Sequence, residues 1–112
     1  MLRIKTKPDG TSTTQNILVG DVMQHFKREN LTEQEKTTYK YLYKILAFAT
    51  HTEIGETLVV YQALYNDFQV FVRPIDMFFS KVDTEKYPDI KQEYRFEKCV
   101  WSIAERNWIP EA

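Results

Sequence analysis

The sequence predicts a mainly β fold: a small antiparallel barrel with a short helical insertion and a C-terminal helical or extended segment. Three observations lead there. The chain has 112 residues, enough for one domain, and a chain of that size buries about 65 % of its unfolded surface without help from disulfides or metal. Aromatic residues make up 14 % of the sequence, while Gly10, Gly20 and Gly55 are its only glycines. Short β-compatible runs alternate with tight turn signals throughout, the pattern of strands joined by hairpins.

Taken in order, Leu2, Ile4 and Thr6 alternate before Pro8-Asp9-Gly10. Proline presets the first corner of such a turn and glycine accepts the unusual dihedral, so residues 1–19 read as an N-terminal arm or hairpin. Residues 20–27 read as a strand entered from a turn. Thr32-Glu33-Gln34-Glu35 has the form of a capping box, with threonine at the N-cap and glutamate three residues on; one or two helical turns follow as an insertion. Residues 41–49 are apolar on both faces and read as a central strand. The compact turn 51–56 returns the chain into residues 57–65, rich in β-branched and aromatic side chains. Residues 68–73 alternate cleanly, placing Phe71 and Arg73 on one face. Pro74 stops that strand and opens a short helical turn at 75–78, and residues 79–82 read as a last short strand. The loop that follows is charged. In 99–108, Val100, Ile103 and Ala104 share a helical face and Trp101 and Trp108 stand seven apart, so the segment is expected as a short helix or an extended piece packed on the barrel. The expected organisation is an arm at 1–19, a barrel at 20–97 and a C-terminal segment at 98–112.

Composition removes several function classes. Fifteen Lys and Arg against sixteen Asp and Glu give a formal charge of -1, which argues against nucleic acid as the partner. Three scattered glycines cannot build a phosphate loop or a dinucleotide fingerprint, so no cofactor is implied. The N-terminus lacks the apolar run of a signal peptide, and nowhere do eighteen apolar residues stand together. Cys99 is the single cysteine and suits a reducing compartment. A soluble cytoplasmic protein, not held at a membrane, is expected.

Four ordered blocks and the strand at 20–27 resemble the domain-of-unknown-function 1653 family of small bacterial and phage proteins. They are the His51-Thr52-Glu53 turn, the strand from Leu58 to Tyr65, the block from Phe71 through Arg73-Pro74 to Met77-Phe78, and Tyr94-Arg95-Phe96. The resemblance spans roughly residues 20–97 and implies an SH3-like barrel. Arg28 stands where many members have glycine, and residues 30–40 look like the insertion of a longer subgroup. The family carries no established activity, so the resemblance implies a fold and not a reaction.

Arg73 is the sharpest candidate site residue, because a planar guanidinium on a strand holds carboxylate or phosphate by a bidentate pair. Its competing role is structural, in an ion pair with Asp76 or Glu53. His25 and Lys27 share a strand face by period two and would form a small cationic patch, or a merely solvated face. Tyr61, Tyr65 and Phe71 would add a stacking platform beside the cations, or simply fill the barrel. His51, with Glu53 and Glu56, sits in a turn whose spacing matches no metal-ligand set, so hydrogen bonding to backbone is its competing role and no metal is expected. Cys99 and the serines stand in no catalytic motif, so a non-enzyme is expected. The expected function is a binding module that binds or sequesters a small anionic, nucleotide-like ligand. The alternative is a protein-interaction domain taking a peptide or partner on its aromatic groove, with Trp101 and Trp108 at an interface of a homo-oligomer.

Overall fold

A computed structural model describes residues 1–7 and 9–111; Pro8, the first corner of the expected N-terminal turn, lies outside them. The fold is mainly β. β1 (Leu2–Thr6) and β2 (Ser12–Asn16) form a separate antiparallel hairpin. β3 (Val22–His25), β4 (Leu42–Thr50), β5 (Thr57–Ala63), β6 (Val70–Pro74), β7 (Phe96–Ser102) and β8 (Asn107–Pro110) build one antiparallel sheet in the order β6-β5-β4-β3-β7-β8. This sheet curls into a half-barrel. A single helical turn, α1 (Ile75–Phe78), follows β6. Among the described residues, no helix is long and apolar enough to cross a membrane.

Local chemistry explains the elements. Gly20 takes φ 93°, a conformation that costs a glycine nothing, and the Asp21 amide donates to Leu18 O across that turn at 3.1 Å. β4 is central, as its two-sided apolar pattern implies, and a bulge between Ile45 and Ala47 bends it. The expected capping box is present: the Glu35 amide donates to Thr32 Oγ1 at 3.1 Å and the Thr32 amide to Glu35 Oε1 at 3.2 Å. It opens only one 3-10 turn, Glu35–Thr37. Arg28 organises the rest of the insertion. Its buried guanidinium donates to the carbonyls of Thr38, Lys40 and Lys36 at 3.0, 2.7 and 2.9 Å, so a charged side chain satisfies backbone acceptors of the insertion.

Three expected elements differ in the structure, and a fourth takes one of its two expected forms. The first strand of the sheet ends at His25, whose Nδ1 accepts from the Lys27 amide at 3.1 Å and starts a 3-10 turn, Phe26–Asn30. β6 begins at Val70, because Asn66 and Phe68 take φ 54° and 55° and spend the preceding residues in the turn. Residues 79–82 form no strand; the amide and hydroxyl of Ser80 both bond Met77 O, and only a single bridge, Lys81 to Tyr94, is made. The C-terminal segment takes the extended form and not the helical one: it is a hairpin. β7 pairs with β3, running on through residue 98, and Trp101 lies directly opposite Trp108 with ring centroids 5.6 Å apart. The seven-residue spacing that mimics two helical turns is here a cross-strand pair around a four-residue loop, and Arg106 at φ 51° closes it.

Alternation along the strands divides the sheet into two faces. The inner face carries Met23, Tyr43, Ile45, Val59, Tyr61, Ala63 and Phe96, joined by Phe78 from α1 in the main buried cluster. The Phe78 and Phe96 rings stack at 4.2 Å with a 6° angle between planes. The outer face carries Val22, Leu42 and Cys99. There the β1–β2 hairpin straps the sheet: the Arg3 guanidinium donates to Phe96 O at 2.7 Å and to Glu97 Oε2 at 3.3 Å, and Tyr94 Oη donates to Ile4 O at 2.6 Å.

Candidate functional site

The inner face is not filled to its rim. β6 is an edge strand, and period two directs both Phe71 and Arg73 inward. Phe71 lies opposite Tyr61 of β5, ring centroids 5.7 Å apart, and Arg73 lies opposite Val59. On the other side of the sheet's concavity, β3 ends at His25, opposite Phe96. Between these walls is an open chamber of about 170 Å³ lined by His25, Lys27, Tyr41, Tyr43, Tyr61, Phe71, Arg73 and Phe96. A second chamber of about 290 Å³ shares His25, Lys27 and Arg73 with the first and adds Arg95, Lys86, Asp83, Tyr87, Phe26 and Val82. Joined along that shared wall, the two fall within the ~300–1,000 Å³ of small-molecule sites.

Arg73 is held in place without being neutralised. Its Nε donates to Tyr61 Oη at 3.3 Å. Among the described residues no carboxylate pairs with it, so neither Asp76 nor Glu53 takes the structural role weighed above. Arg95 repeats the arrangement, with Nε on Ser80 Oγ at 3.3 Å and no carboxylate partner. Each guanidinium is therefore oriented through Nε, and among the described residues its terminal N–H groups have no partner; such a fork matches carboxylate or phosphate oxygens. Lys27 and Lys86 likewise have no carboxylate partner among the described residues; the Lys86 ammonium lies 5.6 Å from the centre of the Tyr87 ring. Among the described residues Asp83 is the only carboxylate lining either chamber, and its Oδ1 is occupied by the amides of Glu85 and Lys86.

His25 stands in the shared wall. With Nδ1 accepting from Lys27 N–H, its neutral form carries the proton on Nε2. Burial, then the charges of Lys27, Arg95 and Arg73, push its pKa down to about 4. At neutral pH the wall thus presents an N–H donor without a further charge. Tyr41, just before β4, takes φ 64°, a left-handed conformation that costs a bulky residue roughly 1–3 kcal/mol. The His25 amide bonds Tyr41 O at 3.0 Å, which fixes the strained residue at the chamber wall.

The structure brings together five of the sequence candidates, Arg73, His25, Lys27, Tyr61 and Phe71. Tyr65 sits behind the wall, its hydroxyl 2.7 Å from that of Tyr43, and lines neither chamber. His51 is apart from both, in the β4–β5 turn, where Nδ1 accepts from the Glu53 amide at 3.2 Å. Sequence reasoning missed Tyr41, Tyr43, Phe96, Lys86 and Arg95. The Tyr94-Arg95-Phe96 block carried a signal for two of them, and Lys86, in an aperiodic loop, carried none. Cys99 is buried, and that burial pushes its thiol up to about 12, leaving it protonated at neutral pH.

Two larger grooves, about 550 and 580 Å³, lie on the opposite face of β3, both bordered by Gln24 and Glu29. Many of their polar groups are engaged within the protein: Glu29 accepts the amides of Lys91 and Gln92, Gln24 bonds Gln92, and Lys5 pairs with Glu97. Lys7 and Lys91 at the larger groove stand with three carboxylates, Glu29, Glu93 and Glu97, whereas among the described residues the smaller chambers set four cations against one carboxylate, Asp83.

No curated protein and no solved structure matches the chain significantly. A family model described as "Protein of unknown function (DUF1653)" matches residues 21–98, a stretch holding all five converging candidates and both guanidinium forks. The chain belongs to the DUF1653 family.

Proposed function

We propose that the protein is a non-catalytic binding module that captures a small anionic ligand in the cleft between β3, β6 and the 83–95 loop. One observation carries the reading: four cations, Lys27, Arg73, Lys86 and Arg95, border two chambers with a shared wall, and among the described residues a single carboxylate, Asp83, lines them. Like charges gathered without counter-ions repel one another, and an anion removes that cost. The donors there are charged or, at His25, a neutral N–H, all suited to oxygen acceptors. The absence of a poised nucleophile supports the non-catalytic part. Among the described residues both histidines use Nδ1 on backbone amides, and neither bonds a hydroxyl or thiol. A module with this cleft would serve as a sensor or as a sequestering protein.

Thermal melting in a panel of phosphate, pyrophosphate, carboxylates and nucleotides tests the reading. At least one anion raises the melting temperature of the wild type, and Arg73→Ala abolishes the rise. A panel with no shift in either protein overturns it. A second reading, protein docking, draws on the β7–β8 hairpin, where Trp101 and Ile103 are 46 % and 86 % exposed and line neither chamber. Sedimentation showing a stable dimer that Trp101→Ser dissolves would favour it.

A further inference from the structure

The two chambers differ in chemistry, and the difference bears on the kind of anion. Away from their shared wall, the smaller one is entirely aromatic: Tyr41, Tyr43, Tyr61, Phe71 and Phe96. Tyr43, Tyr61 and Phe96 are nearly or fully buried and form its floor, whereas Phe71 is 37 % exposed and stands at its rim. Apolar ring area left open beside a charged wall is a stacking surface for a flat ligand group. The larger chamber holds the cations Lys86 and Arg95. With Lys27 and Arg73 in the shared wall and Asp83 opposing, the site has a positive excess that one carboxylate would not balance.

We propose, on the basis of the anion-binding reading above, that the ligand is a nucleoside phosphate. Its base lies in the aromatic chamber against Phe71, and its phosphate lies in the cationic chamber between Arg73 and Arg95. The wall between them, His25, Lys27 and Arg73, spans the sugar and the first phosphate. The aromatic chamber, about 170 Å³, takes one base, so a mononucleotide fits and a long single strand does not. Strain at Tyr41 supports the assignment. The φ of 64° keeps this residue on the chamber wall, and such strain accumulates where a site is preorganised.

Calorimetric titration of the full chain tests the proposal with mono- and diphosphates of the four common ribonucleosides, the nucleosides themselves, ribose 5-phosphate and pyrophosphate. At least one nucleotide binds about tenfold or more tightly than ribose 5-phosphate and pyrophosphate, the margin that one stacked base supplies. Phe71→Ala, at a half-open rim position, erases that margin and leaves pyrophosphate binding unchanged. Lys86→Ala, in an exposed loop, weakens nucleotide and pyrophosphate by the same factor. If pyrophosphate binds as tightly as every nucleotide and Phe71→Ala alters neither, the nucleotide proposal is overturned while the anion-binding reading stands. If no phosphate compound binds, the nucleotide proposal falls, and the anion-binding reading falls with it only if the carboxylates of the melting panel give no shift either.

Discussion

The two faces of the half-barrel treat positive charge in opposite ways. On the outer face, Arg3 and Lys5 from the hairpin converge on Glu97, at 3.3 and 3.0 Å from the same carboxylate oxygen. Arg3 also donates to Gln15 Oε1 and Phe96 O, and its guanidinium lies 4.3 Å from the centre of the Tyr94 ring. One of its nitrogens, Nη1, is buried without a partner. That cluster consumes its charge in holding the strap to the sheet. On the inner face, among the described residues, Arg73 and Arg95 each make one side-chain hydrogen bond, to a hydroxyl, and have no carboxylate partner. Composition cannot separate the two, since both are arginines on or near strands. Burial and counter-charge do: one cluster is spent on architecture, and the other is left without a carboxylate partner among the described residues.

The largest expected effect comes from breaking the outer cluster. Glu97 is 2 % exposed, so Glu97→Ala strands the buried Arg3 charge and lowers stability by about 3–5 kcal/mol, read by urea denaturation at neutral pH. Burial already holds the Arg3 pKa below its ordinary value against the opposing pull of Glu97, which is the sign of a charge that depends on its partner. A loss below about 1 kcal/mol would mean that Arg3 finds another counter-charge or water, and the contrast between the faces would lose its basis.

A smaller effect is expected from pH at the inner face. His25 has a folded pKa of about 4 against an ordinary value near 6.5. The unfolded chain therefore binds a proton that the folded protein refuses between those values. Stability from this group is fully present above pH 6.5, falls as pH drops toward 4, and changes no further once both states are protonated. The whole loss is at most about 3 kcal/mol. His25→Asn removes this leg of the pH curve, so equilibrium unfolding at pH 7 and pH 4.5 should diverge between the two proteins. Equal slopes would place the acid sensitivity elsewhere.

What the sequence revealed and what it concealed follows the same division. The central strand, the Phe71–Arg73 face and the Thr32–Glu35 capping box depend on local pattern, and the structure contains all three. His25 and Lys27 came from period two although the chain leaves the strand at His25; the 3-10 turn happens to keep both at the same cavity. Trp101 and Trp108 went the other way. A spacing of seven fits a helix face, and only the long-range pairing of β7 with β3 decides for a strand. Arg95 and Lys86 reach the cleft through the fold of an irregular loop, which no periodicity encodes. The competing role for Arg73, an ion pair with Asp76 or Glu53, is absent among the described residues for a related reason: sequence proximity to Asp76 says nothing about where the chain turns at Pro74.

The smallest change in stability, and the sharpest distinction, is expected at Arg73. Arg73→Gln loses a 3.3 Å hydrogen bond to Tyr61 but also relieves repulsion from Lys27 and Arg95 across the cleft. The opposing terms leave a net change under about 1 kcal/mol, well below that of Glu97→Ala although both substitutions remove one charge. Sulfate then separates the faces. It stabilises every variant by exclusion from the surface, so only the differences count. Wild type and Glu97→Ala should gain an additional, saturable increment that Arg73→Gln lacks, because only the last has lost a fork of the anion site. If the increment is equal in all three, the inner cations are as fully compensated as the outer ones. Arg73 would then belong with Arg3 to the scaffold.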